Sequence, residues 1–175
     1  IGVTKAYVTR VGEGPFPTEI HDASGEALRA RGQEYGAVTG RPRRCGWLDL
    51  PILRYSNQIN GTEWLVVTKL DVLDEFDWIP VCTGYEIDGI ACETLPADIR
   101  GIDAIRPVYT RLRGWCKSTE GVRTWDDLPK PAQEYLRFME RESQAKIGIV
   151  STGPDRDQTF ELPAFREAMR HVSGL

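Results

Sequence analysis

Apolar residues along this chain fall into short runs broken by glycine, proline and charge, and the spacing within each run predicts alternating strands and helices. Residues 3–8 read as a strand. The G-E-G-P-F-P stretch at 12–17 reads as a loop, because two glycines and two prolines in six residues block both helix and central strand. A short helix is expected within 22–32, with Ser24 as a candidate cap. Asp49 opens a second helix running to Asn60, with Asp as N-cap, Pro51 in the first turn and Asn60-Gly61 as the stop. The run W-L-V-V-T at 64–68 is the continuous apolar pattern of a strand buried on both faces of a parallel sheet. Residues 78–87 and 108–112 read as strands, and the Gly/Asp/Pro-rich connection between them is assigned no element. Residues 128–145 form an amphipathic helix, with Ala132, Tyr135, Leu136 and Met139 at helical spacing as core positions. A short strand at 146–150 then ends in Ser151-Thr152-Gly153-Pro154. These elements predict an α/β fold with a mostly parallel sheet and flanking helices. No internal repeat or low-complexity segment interrupts them.

Composition narrows the class. With 175 residues, 41% hydrophobic and 27% charged, the chain is long enough for one sizeable core. A net charge of -4 and a pI near 5.3 argue against a general nucleic-acid binder. No run approaches a membrane span and the start lacks a signal-peptide pattern, so a cytoplasmic protein without a membrane partner is expected. Cys45, Cys82, Cys92 and Cys116 are too widely spaced for a metal knuckle, so reduced thiols are expected. Cys45, beside arginines, is a candidate for partial activation. His21 and His171 sit in no recognisable acid/base setting and read as surface residues.

The basic charge is local. Residues 36–49, G-A-V-T-G-R-P-R-R-C-G-W-L-D, place Arg41, Arg43 and Arg44 among Gly36, Gly40 and Gly46. Guanidinium forks can grip carboxylate or phosphate oxygens in pairs, and the glycines let the backbone approach a ligand. Thr39 adds a hydroxyl. From these residues alone a solvated surface turn is an equal alternative.

A second constellation follows the strand at 64–68. In open α/β sheets ligands bind beyond the carboxyl ends of strands, so Lys69 and Asp71 can face one crevice. A carboxylate complements guanine, accepting from its ring N1–H and exocyclic amine together, and the lysine stem can lie against the base. Losing such a partner leaves buried groups unpaired, which is the basis of strong selection for GTP over ATP. Without further context, an exposed strand end with an incidental ion pair explains the same residues.

Three motifs supply context. T-K-A-Y-V-T-R-V-G-E-G-P-F-P-T-E at 4–19, the arginine loop, and T-K-L-D-V-L-D at 68–74 together resemble the C-terminal part of adenylosuccinate synthetases. Residues 107–115, L-P-K-P-A-Q-E-Y from Leu128 and S-T-G-P-D-R from Ser151 fit as well. The resemblance covers residues 1–160 and leaves 161–175 as an extra tail. Family members join L-aspartate to IMP at the expense of GTP, giving adenylosuccinate, GDP and phosphate. The resemblance implies the P-loop NTPase-like fold of that family, GTP as a substrate, and magnesium. It also implies IMP and L-aspartate as small-molecule ligands, and a homodimeric complete enzyme.

The resemblance also assigns residues. Ala37, Val38, Thr39, Gly40, Arg41, Pro42 and Arg43 line the aspartate site. Arg41 also reaches the IMP ribose, which Val11 and Gly12 approach. Arg43 joins the aspartate site to the GTP phosphates, and Lys69, Leu70, Asp71, Ser151, Thr152 and Gly153 hold the guanine. Two positions depart from the family pattern: Val38 stands where many relatives place Thr, and Pro42 where many place Arg. In the family the phosphate loop, the Asp that serves as base and magnesium ligand, and an assisting His lie before the block in which this sequence opens. The expectation is therefore a C-terminal part with no catalytic residue or metal ligand of its own, inactive alone, with a complementary N-terminal chain as one possible partner. The alternative is a stand-alone nucleotide-binding or assembly module. The tail, with helical spacing at Phe165, Met169 and Val172, is expected either to pack on a partner or to be solvated.

Overall fold

The computed structural model describes residues 1–94 and 104–173, with side chains through His171. Its principal sheet has four strands in the order β1-β4-β8-β9. Strands β1 (Gly2–Lys5), β4 (Trp64–Thr68) and β8 (Lys146–Ser151) run parallel, and β9 (Thr159–Glu161) closes the sheet antiparallel to β8. The α/β fold with a mostly parallel sheet expected from the sequence is present. Two small antiparallel sheets accompany it: β2 (Val8–Arg10) with β3 (Arg44–Gly46), and β6 (Ile90–Cys92), β5 (Trp78–Ile87) and β7 (Ile105–Arg113) in that order.

Helix α2 (Leu50–Asn60) forms as its local signals dictate. The Asp49 side chain accepts from the Ile52 amide at 3.2 Å, and Gly61 ends the helix in the left-handed region at φ 58. Helix α3 (Lys130–Ser143) buries Ala132, Tyr135, Leu136 and Met139, which meet Val67, Ile147 and Val150 of the sheet in one core. The Tyr135 hydroxyl donates to the Ala6 carbonyl at 2.5 Å and so ties α3 to the segment after β1.

Several boundaries moved. The strand expected at 3–8 divides into β1 and β2, because Ala6 and Tyr7 turn inward between them and are buried. Helix α1 (Ala23–Arg31) is capped by Asp22, whose carboxylate accepts from the Ser24 amide at 2.8 Å; Ser24 itself is helical. Strand β7 begins before Val108, since its pairing with β5 runs from Ile105. The middle of the unassigned connection, 95–103, lies outside the described residues. The tail forms α4 (Pro163–Ser173) against β8. Phe165 packs edge-on to Trp64 and over Gly148, where an added Cβ would lie 2.4 Å from the ring. The Val172 side chain lies outside the described residues.

Candidate functional site

The arginine loop leaves the end of α1 through Gly32 and Gln33, the latter at φ 51. Tyr35 bridges Pro42, Gly36 donates to the Arg41 carbonyl at 2.9 Å, and Gly40, at φ 63, donates back to Gly36 at 2.8 Å. The backbone therefore closes on itself and turns the residues at the tip outward. Ala37, Val38, Thr39, Gly40, Arg41 and Pro42 are exposed, Val38 to 98%. The Thr39 hydroxyl accepts from the Arg41 amide at 3.4 Å.

The three arginines part company here. The Arg41 side chain reaches solvent. Arg43 turns inward, donating from Nη1 to the carboxylate of buried Glu34 at 2.8 Å, while its Nε is buried without a hydrogen-bond partner. Arg44 grips the Glu19 carboxylate and also donates to the carbonyls of Gly12 at 3.1 Å and Gly14 at 2.8 Å. The anion-gripping fork expected of Arg44 is thus already filled from within the chain, and it staples the glycine-rich loop containing Val11 and Gly12 to β3. Hydrogen bonding by Arg44 is also the main reason the Glu19 carboxyl is held below its ordinary range. The activation expected of Cys45 does not occur. The thiol is fully buried, and burial raises its pKa despite the lowering effect of Arg29.

Beyond β4 the chain turns sharply. Lys69 lies in the left-handed region at φ 59, uncommon for a residue with a side chain and frequent at functional sites. The Lys69 ammonium donates to the Gly32 carbonyl and stands 3.6 Å from Glu34, while Asp71 opens a single 3-10 turn, Asp71–Leu73, on the wall of a cleft, still close enough to Lys69 for that charge to act on its carboxyl. That cleft has a volume of about 510 Å³, within the ordinary range for ligand pockets, and Arg31, Asp74, Lys117 and Ser118 also line it. Oδ1 of Asp71 is buried with no hydrogen-bond partner. Burial raises the Asp71 carboxyl above its usual range; its own amide opposes the shift and Asp74 adds to it.

The end of β8 adjoins this turn. The Leu70 amide donates to the Ser151 carbonyl at 3.3 Å, and the Ser151 hydroxyl donates to the Gly153 carbonyl at 3.0 Å. Leu70 and Thr152 are fully buried, and the Thr152 hydroxyl donates to the Val122 carbonyl at 2.9 Å. The segment around Val122 is anchored in turn by Asp74, which accepts from the Thr119 amide and hydroxyl, each at 2.7 Å, and from Trp115 Nε1 at 2.6 Å. These hydrogen bonds tie the turn after β4, the end of β8 and the segment around Val122 together, while the cleft itself is lined from Asp71, Val72, Asp74, Glu75 and residues 116–118 and 120, with Arg31.

The family model for adenylosuccinate synthetase matches residues 1–160. The chain belongs to the adenylosuccinate synthetase family. It is 64% identical over 97% of its length to the adenylosuccinate synthetase of Koribacter versatilis, of which it covers 38%. To that of Aquifex aeolicus it is 50% identical over 99% of its length, covering 40%. A solved structure of fully ligated adenylosuccinate synthetase from Plasmodium falciparum superimposes with a TM-score of 0.87 at 36% identity, over 91% of this chain and 39% of that one. The chain thus spans about two fifths of these relatives.

Within a synthetase segment, the residues that sequence reasoning passed over are Glu34 and Glu19. Both contact arginines of the loop, yet Glu34 is nine residues from Arg43 and Glu19 twenty-five from Arg44. Only the position of Glu34 directly before the loop hints at its part. His21 and His171 are exposed, as expected.

Proposed function

We propose that this segment provides the aspartate loop and the guanine pocket of an enzyme that forms adenylosuccinate, GDP and phosphate from IMP, L-aspartate and GTP. One observation carries the reading: Asp71, just beyond the carboxyl end of a parallel strand, lines a cleft, and its buried Oδ1 has no hydrogen-bond partner within the chain. An unpaired buried acceptor costs stability unless a ligand uses it. Guanine carries two adjacent donors suited to a carboxylate, and adenine does not.

In this reading the γ-phosphoryl group of GTP passes to O6 of IMP with GDP leaving; the aspartate amine then attacks C6 and phosphate departs. Arg41 binds the substrate carboxylate and reaches the IMP ribose, near Val11 and Gly12. Ala37, Val38, Thr39, Gly40 and Pro42 shape the aspartate loop, and Arg43 faces both it and the GTP phosphates. Lys69, Leu70, Asp71, Ser151, Thr152 and Gly153 frame the guanine. Guanidinium groups near developing phosphate charge stabilise it by several kcal/mol when prepositioned. Magnesium belongs to the same family reaction. Among the described residues no cluster of three His, Cys, Asp or Glu side chains is formed. The resemblance further carries a cytoplasmic, homodimeric enzyme; among the described residues no helix is long and apolar enough to cross a membrane.

The test is adenylosuccinate formation by the full-length protein carrying this sequence. Product is expected with GTP, IMP and aspartate, and far less with ATP in place of GTP. Equal rates with both nucleotides, or no product, would refute the reading.

A further inference from the structure

The arginine loop and the turn after β4 meet at one buried carboxylate. Glu34 is fully shielded from solvent, yet four side chains from three segments converge on it. Oε1 accepts from Lys5 Nζ at 2.7 Å and from the Tyr7 hydroxyl at 2.6 Å, and Oε2 accepts from Arg43 Nη1 at 2.8 Å. Lys69 Nζ stands 3.6 Å away and also donates to the Gly32 carbonyl. The backbone next to it is closely packed, since a Cβ added at Gly32 would lie 2.1 Å from the Tyr7 hydroxyl and 3.1 Å from Cγ of Glu34.

The charges do not balance. One buried negative group faces three cations, and the side chains of Lys5, Arg43 and Lys69 remain 26%, 33% and 37% exposed. One cation is enough to neutralise a carboxylate, and each further one adds positive charge to the same space. Here the carboxylate fixes the inner ends of three cationic side chains and leaves them an excess of positive charge. Such an arrangement suits holding anions between a loop and a strand end, because the cationic groups are set before the ligand arrives.

We propose that Glu34 is a positioning residue that holds Arg43 and Lys69 in fixed relation, so that the aspartate loop and the GTP segment act as one unit. This deepens the function proposed above and rests on it. Glu34 touches neither substrate; it acts through Arg43 and Lys69.

The experiment is steady-state kinetics of the full-length protein with Glu34→Gln. The Michaelis constants for GTP and aspartate should each rise about tenfold, as loss of an ionic hydrogen bond that orders a binding group implies, while that for IMP changes less than about twofold. With Arg43→Met already present, Glu34→Gln should add less than about twofold to the aspartate constant, because the group it orders is gone. A lower thermal midpoint with all three constants unchanged would overturn the proposal, as would an undiminished effect in the Arg43→Met background. Should Glu34→Gln fail to fold, Tyr7→Phe keeps the ring and removes one donor to Oε1. It should raise the GTP and aspartate constants by a smaller factor and spare IMP, and unchanged constants there overturn the proposal equally. A wild-type protein that forms no adenylosuccinate would refute the function and this role together, whereas unchanged constants in an active enzyme refute only the role of Glu34.

Discussion

Replacing Asp71 with asparagine distinguishes a carboxylate kept for a ligand from one kept for the fold. Oδ1 of Asp71 is buried without a partner, and burial is the largest cause of its raised pKa. A carboxyl with a higher pKa folded than unfolded binds protons more readily in the native state. Its contribution to stability therefore falls as pH rises from the ordinary carboxylate range through the folded value, and at neutral pH its charge weighs against the fold. Asp71→Asn removes that charge at nearly constant volume, so the thermal midpoint of the unliganded protein should hold or rise. Binding should move the other way. Asparagine keeps one acceptor for guanine and turns an amide donor toward the second donor of the base. A lost hydrogen bond to a charged group is worth about 1.5–3 kcal/mol, which is roughly a ten- to hundredfold weaker affinity for GTP. Isothermal titration of the full-length protein with GTP, ITP and ATP checks this. ITP lacks the exocyclic amine, so wild type should bind it less tightly than GTP, and Asp71→Asn should close most of that gap. A midpoint lower by several degrees with the GTP-to-ATP ratio intact would refute the reasoning and make Asp71 structural.

Arg41→Leu should raise the aspartate Michaelis constant by about ten- to a hundredfold and leave the thermal midpoint nearly unchanged, because an exposed arginine contributes about 0–1 kcal/mol to folding; initial rates and a melting curve measure both. Arg44→Met should raise the IMP constant more than the aspartate constant, since Arg44 holds the carbonyls of Gly12 and Gly14 and grips Glu19; equal changes in the two constants would count against that staple. Glu34 should shape acid unfolding. Burial alone would raise its pKa, but hydrogen bonds from Lys5, Tyr7 and Arg43 bring it down to about 2 from 4.5, so its stabilisation is full above pH 4.5 and is lost as pH falls toward 2. At about 1.4 kcal/mol per pKa unit this is about 3 kcal/mol, and melting points recorded across that window should fall less steeply for Glu34→Gln than for wild type.

Features written in neighbouring residues were legible in the sequence. Helix α2 carries its start and stop within a dozen positions, and the apolar run of β4 and the helical spacing of α3 needed nothing distant to form as expected. Features assembled from distant residues were not legible. Ser24 and Asp22 are both good cap residues, and only the geometry of the entering chain decides that Asp22 accepts the amide. The left-handed turn at Lys69 carries its ammonium to Gly32 and Glu34, thirty-five and more residues away in the chain. The inward turn of Arg43 and the occupied fork of Arg44 likewise depend on carboxylates outside the loop, so three similar arginines in sequence become one exposed, one anchored and one stapled side chain.

The most direct measurement is a crystal structure of the full-length protein with GDP, IMP and an aspartate analogue. The account predicts the Asp71 carboxylate on guanine N1–H and the exocyclic amine, the Arg41 guanidinium on the analogue's carboxylate, and Arg43 still bound to Glu34. Guanine seated away from Asp71, or an aspartate analogue bound without Arg41, would contradict it.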